Sequence, residues 1–420
     1  MKIKISTVII LIVVFIVVAS EYFFFLGPEI NTIVLLMMLL MGLIICMAKT
    51  RREMGIIKTQ LNFCGGYIFM SCIIFSTILM YTIIAFPRQN LLYTLRGFGY
   101  YYYVLIAILL LCYMIRKKKD SNIYLLLEIC TVIWYMLVLA QKIVYDINGT
   151  IIIDSYFEYF CGGFVPLRNG MIRISLRWFG NLMLIYNFYK FYVLGNKKKL
   201  IYFGIFILGM YEVIMIQQTR AYTLCNLICI FTIILLKRNT KKEFFRKLFL
   251  FIIAILIILE TGIVSNFIDS FSSSGTFANS TLARSYAIKY YWEYFLNHPI
   301  FGMGFASTTF YSSVVKGLSG KASIDDVGML GQFVRLGVFV IPIYILLLIR
   351  FFRILGMMKK YGQFKEDYIW YSSFFIQLLI TSVSLSMMDK QRIMLYPLSI
   401  ALFEFQYLRI KEKVTKENQS

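Results

Sequence analysis

Apolar runs of about 20 residues, separated by short basic clusters, recur along this chain, and that alternation limits its fold more than any other feature. A helix of about 20 residues crosses the ~30 Å hydrocarbon core of a bilayer. Twelve such runs are read, at about 5–25, 29–48, 61–86, 97–115, 121–143, 173–194, 200–218, 221–236, 248–267, 327–349, 368–388 and 393–408. Each is expected to be helical, because a segment surrounded by lipid has to satisfy its own backbone N–H and C=O groups. Composition agrees: the chain is 60% hydrophobic and 15% charged, against roughly 45–50% and about 25% in soluble domains. The expected fold class is all-α. It is a polytopic integral membrane protein of about 12 transmembrane helices, with residues 1–420 as one membrane domain. The first run, with Lys2 and Lys4 ahead of it, is read as an uncleaved span rather than a secretory signal.

Charge orients the helices. Lys and Arg number 43 against 21 Asp and Glu, a formal +22. In a soluble chain this excess would suggest nucleic acid, but here it sits in the connections between spans. Alternate connections carry clusters such as Arg116-Lys117-Lys118-Lys119 and Lys197-Lys198-Lys199, and also Arg350/Arg353/Lys359/Lys360/Lys365. With both ends of the chain, that side holds 28 of the 43 basic residues. By the positive-inside rule it is cytoplasmic, as are both termini. The expected location is the cell (cytoplasmic) membrane, with no nucleic-acid partner. Two long connections fall on the opposite face, about 144–172 and 268–326, and loops of that length are usually functional. Seven of the eight cysteines lie inside apolar runs and there is no Cys/His pairing. A disulfide framework and a metal site both lack support. Cys225 and Cys229 read as small buried thiols.

The larger loop carries the densest pattern. Residues 281–297 read as a helix with Tyr286, Tyr290 and Tyr294 at i,i+4, a Lys289–Glu293 pair, and an apolar face of Ile288, Tyr291, Trp292 and Phe295. Pro299 stops it, and Gly302 and Gly304 follow. From composition alone this is an amphipathic helix lying at the interface. The outer side also supplies cations. Arg173 and Arg177 are read at i,i+4 on the sixth span with Asn181 one turn deeper, Arg220 stands on a tight turn, and Arg284 begins the loop helix. Gly328, Gln332 and Arg335 make a polar stripe on the span after the loop. Arg88, Arg96 and Arg392 are expected to snorkel to headgroups. The intramembrane acids Glu128, Glu212, Glu260 and Glu404 fit either function or inter-helix hydrogen bonding.

An Arg, a Trp-bearing aromatic helix and His298-Pro299-Ile300-Phe301-Gly302-Met303-Gly304, late in a polytopic chain, resemble the O-antigen polymerase/ligase superfamily, which includes the Wzy-type polymerases. Gln217-Gln218-Thr219-Arg220-Ala221 is similar to that family's Ser/Thr-Arg-small motif, and a span opening at Asp326-Val327-Gly328 follows the loop as in the family. The motif-bearing region is 217–337. One departure stands out: lipid A-core ligases of the superfamily open the late span with a His, whereas here the stretch is Ser323-Ile324-Asp325-Asp326-Val327. His298 is the one histidine of the chain. This departure favours a polymerase.

The resemblance implies transfer of a glycan from undecaprenyl pyrophosphate to an acceptor sugar hydroxyl on the outer face, as in capsule or O-antigen synthesis. It implies a membrane glycosyltransferase without cofactor or metal. Its partners would be an undecaprenyl-pyrophosphate-linked oligosaccharide, the bilayer, and a chain-length regulator and flippase of the same pathway. Cations that stabilise a departing pyrophosphate are then expected among Arg173, Arg177, Arg220, Arg284 and Arg335, with His298 as a further contact or a turn residue. Asp325 or Asp326 would serve as base, unless both cap the helix N-terminus. Arginine usage fits: the 14 outer basic residues comprise 9 Arg and 5 Lys, while the 28 inner ones comprise 8 Arg and 20 Lys. A guanidinium fork suits pyrophosphate better than an ammonium. The rivals are a ligase of the same superfamily, a polysaccharide flippase or exporter, and a non-catalytic assembly or sensor protein.

Overall fold

The computed structural model describes residues 62–152, 167–168, 171–194, 198–237, 278–320, 322–324, 327–389 and 394–417, together with 8, 242–243, 245–247, 249 and 392. The expected spans 5–25, 29–48 and 248–267 lie outside the described residues, apart from Val8 and Phe249. What is described is almost wholly helical. The exception is a two-residue antiparallel ladder in the first long connection, where Leu167 pairs with Ile172 and Arg168 with Met171.

Helix α1 (Asn62–Ala85) ends just before Pro87, which cannot continue a helix. Asn90 restarts the chain, its side-chain oxygen accepting from Leu92 N at 3.0 Å to cap α2 (Leu91–Phe98). A tyrosine-rich 3₁₀ segment, Gly99–Leu105, leads into α3 (Ile106–Lys117), and α4 (Ser121–Asn148) follows. Next come α5 (Arg177–Tyr189), α6 (Lys199–Tyr211) and α7 (Arg220–Leu236), the first two running on through wide π turns at Lys190–Leu194 and Glu212–Gln217. The later half holds α8 (Ala278–Asn297), α9 (Ser312–Lys316), α10 (Met329–Leu336), α11 (Val340–Lys360), α12 (Lys365–Ser382) and α13 (Leu395–Glu417).

Among the described residues, five stretches are long and apolar enough to cross a membrane: Phe63–Ala85, Gly99–Lys117, Ser121–Asn148, Lys199–Gln217 and Met329–Lys360. Helices α5, α12 and α13 are more polar, and they bury that polarity inside the bundle: Asn181 and Asn187, Ser373 and Gln377, Glu404 and Gln406 are all buried. Aromatic side chains of α12 and α13 pack in the core with α11, Phe351 of α11 stacking on Phe403 at 3.9 Å and Tyr371 lying edge-on to the same ring at 5.1 Å. The outer helices present Phe69, Ile84, Leu125, Ile133 and Ile207 to the surroundings. Such a rim is costly in water and ordinary against lipid. The chain is a membrane protein.

Two of the intramembrane acids are paired. Lys190 Nζ lies 2.8 Å from Glu128 Oε2, between the rings of Tyr186 and Tyr202. Arg350 meets Glu404 through both carboxylate oxygens, at 2.6 and 2.9 Å. Arg350 is therefore not a loop charge of the cytoplasmic cluster. α11 continues past it to Lys360, and its guanidinium is sandwiched between Phe63 and Tyr407. Glu212 is buried with neither carboxylate oxygen hydrogen-bonded among the described residues. Glu260 lies outside them.

Candidate functional site

The His298–Gly304 motif is a piece of backbone joinery. α8 stops at Asn297, and Gly302 turns the chain at φ +61°, its N–H donating to His298 O at 3.0 Å. Met303 N then donates to Val334 O at 2.7 Å, and Val338 N to Pro299 O at 2.8 Å, so the motif loop beds against the end of α10. A Cβ on Gly302 would run into the carbonyl of Val334, and one on Gly337 (φ +59°) into the carbonyl of Ile300. Only residues without a side chain permit backbones this close at positive φ. Beyond the motif, Phe305 N donates to Thr82 Oγ1 at 3.0 Å. Gln89 clamps both directions, donating to Phe305 O at 3.0 Å and accepting from Ser307 N at 2.7 Å.

α8 packs through Ala287 and Tyr291, whose hydroxyl donates to Val315 O at 2.7 Å. The expected apolar face is thus divided: Ile288 and Trp292 point outward with Leu296 and Ile300, an exposed stripe suited to a membrane interface. Lys289 and Glu293 are both exposed, and the expected ion pair between them is not formed. His298 is exposed and stacks on Tyr294 at 4.6 Å, ending a ladder of rings from Tyr286 through Tyr290. Burial pushes the Tyr294 phenol up to about 12.

Two cavities flank α10. One, of about 380 Å³, lies between α2, the tyrosine segment and the motif loop, and includes Tyr93, Tyr100, Ser307, Thr308, Thr309 and Arg335 in its lining. Arg335 Nη1 donates to the Tyr100 hydroxyl at 2.7 Å. Beside it Tyr101 donates to Gln332 Oε1 at 2.8 Å, and Gln332 Nε2 donates to the buried Asp389 at 2.7 Å. The other cavity, of about 450 Å³, is lined by apolar side chains of α10, α11 and α12, including Leu330, Leu347, Phe351 and Phe375, with Ile288 of α8 at its edge.

A second cationic cluster forms where α5 and α7 begin at the same end of the bundle. The helix α5 starts only at Arg177, so Arg173 and Arg177 do not share a helical face as expected. Arg173 lies in the extended approach and reaches the next motif instead, with Nε 3.2 Å from Gln217 O and Nη2 3.5 Å from Thr219 Oγ1. Arg177 has φ +59°, a conformation costing about 1–3 kcal/mol in a non-glycine residue and concentrated at functional sites. Its guanidinium lies 5.6 Å from the Trp134 ring. Arg220 opens α7. One turn deeper, Asn181 and Asn226 approach to 3.5 Å.

Into this cluster comes a residue that the hydropathy reading misassigned. Arg392 does not snorkel; it is 2% exposed. Nη1 donates to Leu385 O at 2.8 Å, Nη2 donates to the hydroxyl of Tyr222, and the Nε hydrogen has no acceptor among the described residues. Trp178 Nε1 and Gln377 Oε1, which border the same small gap, are likewise without partners there. The segment carrying Arg392 also carries Asp389, whose carbonyl accepts from Arg392 N at 2.8 Å. It therefore joins the two polar clusters. A cation and an acid three residues apart between two spans was the available signal, but charge next to a span end ordinarily reads as topology.

The structure thus brings Arg173, Arg177 and the turn before Arg220 together, and puts Arg335 in the polar cavity. Arg284 is half-buried on α8 and lines neither the polar cavity with Arg335 nor the small gap beside Arg392. Asp325 and Asp326 lie outside the described residues.

Residues 203–328 match the family model described as O-antigen ligase. Over that stretch the chain is similar to the O-antigen polymerase/ligase superfamily. The match runs from α6 to the start of α10 and takes in Arg220, Arg284, His298, Asp325 and Asp326, while Arg173, Arg177, Arg335 and Arg392 fall outside it. Members of this family are membrane enzymes of the glycosyltransferase kind, ligases and polymerases. No curated protein matches the chain.

Proposed function

We propose that this chain is a member of the O-antigen polymerase/ligase superfamily that polymerises undecaprenyl-pyrophosphate-linked oligosaccharide repeat units in capsular polysaccharide or O-antigen synthesis, on the outer face of the cytoplasmic membrane. An acceptor sugar hydroxyl attacks the anomeric carbon of the donor glycan. The bond from that carbon to the pyrophosphate oxygen breaks, and undecaprenyl pyrophosphate departs with the bonding electrons. The hydroxyl proton passes to a base, a role suited to Asp325 or Asp326.

The observation that carries this reading is Arg392. Burying a guanidinium costs several kcal/mol unless an anion compensates it, and every partner it has among the described residues is neutral. It reaches Tyr222, two residues into the helix that Arg220 opens, while Arg173 reaches the turn at Gln217 and Thr219 just before it. Cations at this end of the bundle would stabilise a pyrophosphate leaving group. The apolar cavity along α10, α11 and α12 suits the polyprenyl chain, whose headgroup then lies near the membrane surface. Arg284 is assigned to the glycan or the pyrophosphate, and His298 to its rim. A chain-length regulator and a flippase are the proposed partners.

In cells, Arg220→Ala, Arg284→Ala and Arg392→Ala variants are expected to lose long polymer while single repeat units still appear, scored by electrophoresis of the glycan. Long polymer from all three variants overturns the site. The family description favours a ligase as second reading. Its signature would be polymer that accumulates on the lipid carrier, unattached, when the gene is deleted.

A further inference from the structure

We infer that the row of rings along α8, Tyr286, Tyr290, Tyr294 and His298, is a platform for the glycan chain that takes several sugar residues at once. This rests on the glycosyl-transfer reading above. Positions four apart on a helix share a face and advance by about 6 Å, so the row runs for roughly 18 Å. An oligosaccharide covers that length and a single pyranose does not.

Ring geometry matches the ligand. Tyr286 and Tyr290 are within 8° of parallel with centroids 6.5 Å apart, and Tyr294 follows at 6.4 Å. Full face-to-face contact would bring the rings to about 3.5–4.0 Å, so they leave much of their faces uncovered by one another. Such a face accepts the C–H face of a pyranose, while the sugar hydroxyls stay at the edge for water or protein. Tyr286 and His298 are exposed, and Tyr290 and Tyr294 are half-buried.

The row is also set before any ligand arrives. Tyr290 Oη donates to Val314 O at 2.6 Å, and His298 closes the row by stacking on Tyr294 at 4.6 Å. A Cβ on Gly317 (φ +70°) would lie 3.1 Å from the Tyr286 hydroxyl and 3.4 Å from the Tyr290 ring, so the bare backbone there leaves both rings room to pack. Rings held in this way lose little freedom on binding.

The other flank of the helix separates glycan from lipid as the occupant. Ile288, Trp292 and Leu296 each stand two residues beyond a tyrosine of the row, about 200° further round the axis, and all three are exposed. A helix that lies on a bilayer by this stripe turns the tyrosines away from the acyl chains. At its far end the row passes through His298 into the motif loop, whose residues 303–309 wall the polar cavity. A chain lying on the rings thus follows one surface to that cavity.

The test uses the full-length protein in detergent. The probe is glycan released by mild acid from the lipid carrier of polymer-making cells, sized into single repeat units and oligomers of several units. Saturation-transfer NMR should show the oligomers bound about 10-fold more tightly than the single unit, a gain spread over several ring contacts. Tyr286→Leu should lower oligomer affinity about 5-fold, and Tyr286→Phe, which keeps the ring, should not. Tyr286→Leu/Tyr290→Leu should erase the length preference, and Trp292→Leu on the opposite flank should leave it in place. Equal affinity of the native protein for one unit and for several overturns the inference, as does a preference that survives the double substitution or is erased by Trp292→Leu. In vesicles of brominated phosphatidylcholine, the fluorescence that Tyr286→Trp adds to a Trp292→Phe protein should resist quenching. Its quenching would put the row against lipid and overturn the inference. Glycan transfer from a lipid donor without any length preference sinks this inference alone. A length preference in a protein that transfers no glycan keeps the platform and removes the proposed reaction.

Discussion

Arg350 and Arg392 are two buried arginines held in opposite ways. Arg350, 7% exposed, is neutralised by Glu404 through two charge-assisted hydrogen bonds and packed between Phe63 and Tyr407. Arg392, 2% exposed, is held by a carbonyl and a tyrosine hydroxyl, which orient a guanidinium without cancelling its charge. The first arrangement is complete within the fold and ties α11 to α13. The second leaves a fixed positive charge in a low-dielectric place, the condition under which a cation acts most strongly on an arriving anion. Burial of a cation is therefore not in itself a functional sign. The charge of its partner decides.

The comparison breaks most visibly at Glu404. Glu404→Gln leaves Arg350 without its counter-charge and is expected to cost ~3–5 kcal/mol, the usual penalty for removing one partner of a buried pair. It should appear as a large fall in unfolding temperature or as loss of folded protein on size-exclusion chromatography in detergent. The double variant Arg350→Met/Glu404→Leu should regain most of that stability. A Glu404→Gln protein as stable as the native one would mean that Arg350 does not depend on its carboxylate, and the contrast would fail.

Arg392→Leu is the converse experiment. It removes a charge that has no anionic partner among the described residues and two hydrogen bonds from a charged donor, worth about 1.5–3 kcal/mol each. That loss is offset by relief of the several kcal/mol that burying a cation costs. Stability should change little. Glycan transfer should fall about 10²–10³-fold, the usual effect of losing one group that stabilises developing charge. Transfer measured per folded molecule separates the possibilities: full activity in a poorly folding Arg392→Leu protein would make Arg392 a structural residue like Arg350.

Legibility differed along the same line. Among the described residues the apolar runs fall on helices, because lipid enforces both length and internal hydrogen bonding. Five stretches there are long and apolar enough to cross a membrane, against the twelve spans read from the sequence. The motif 298–304 was legible as a pattern, but its work was not. Gly302 and Gly337 serve each other's neighbours, Val334 and Ile300, across a sequence gap that no local spacing reveals. Arg173 was legible as a candidate for a wrong reason, since the helix starts four residues later and its partners come from the 217–219 turn. Arg350 and Arg392 each stood near a presumed span end, where charge ordinarily marks topology. Only the neighbours brought in by packing distinguish them.

The smallest effect is expected at the basic end of the bundle, where acids stand between these two extremes. Asp120 accepts from Gln406 Nε2 at 3.0 Å and Tyr371 Oη at 3.5 Å, and Asp367 accepts from Arg409 Nη1 at 3.3 Å. Burial raises both carboxyls above the usual range even though Arg409 pulls them down. A raised carboxyl means that the folded state holds its proton more tightly than the unfolded chain. The associated stabilisation is fully present below the unfolded value of about 3.9, and it is lost as pH rises through the folded value. Unfolding temperature should therefore decline as pH rises from about 4 and level off once both groups are ionised. Asp120→Asn keeps an acceptor oxygen and cannot ionise, so its profile should be flatter than the native one over the same range. A native protein that gains stability across that interval, with Asp120→Asn following it in parallel, would show that Arg409 outweighs burial. The basic end would then resemble Arg350 and Glu404, a charge set closed within the fold, and Arg392 would remain the contrasting case.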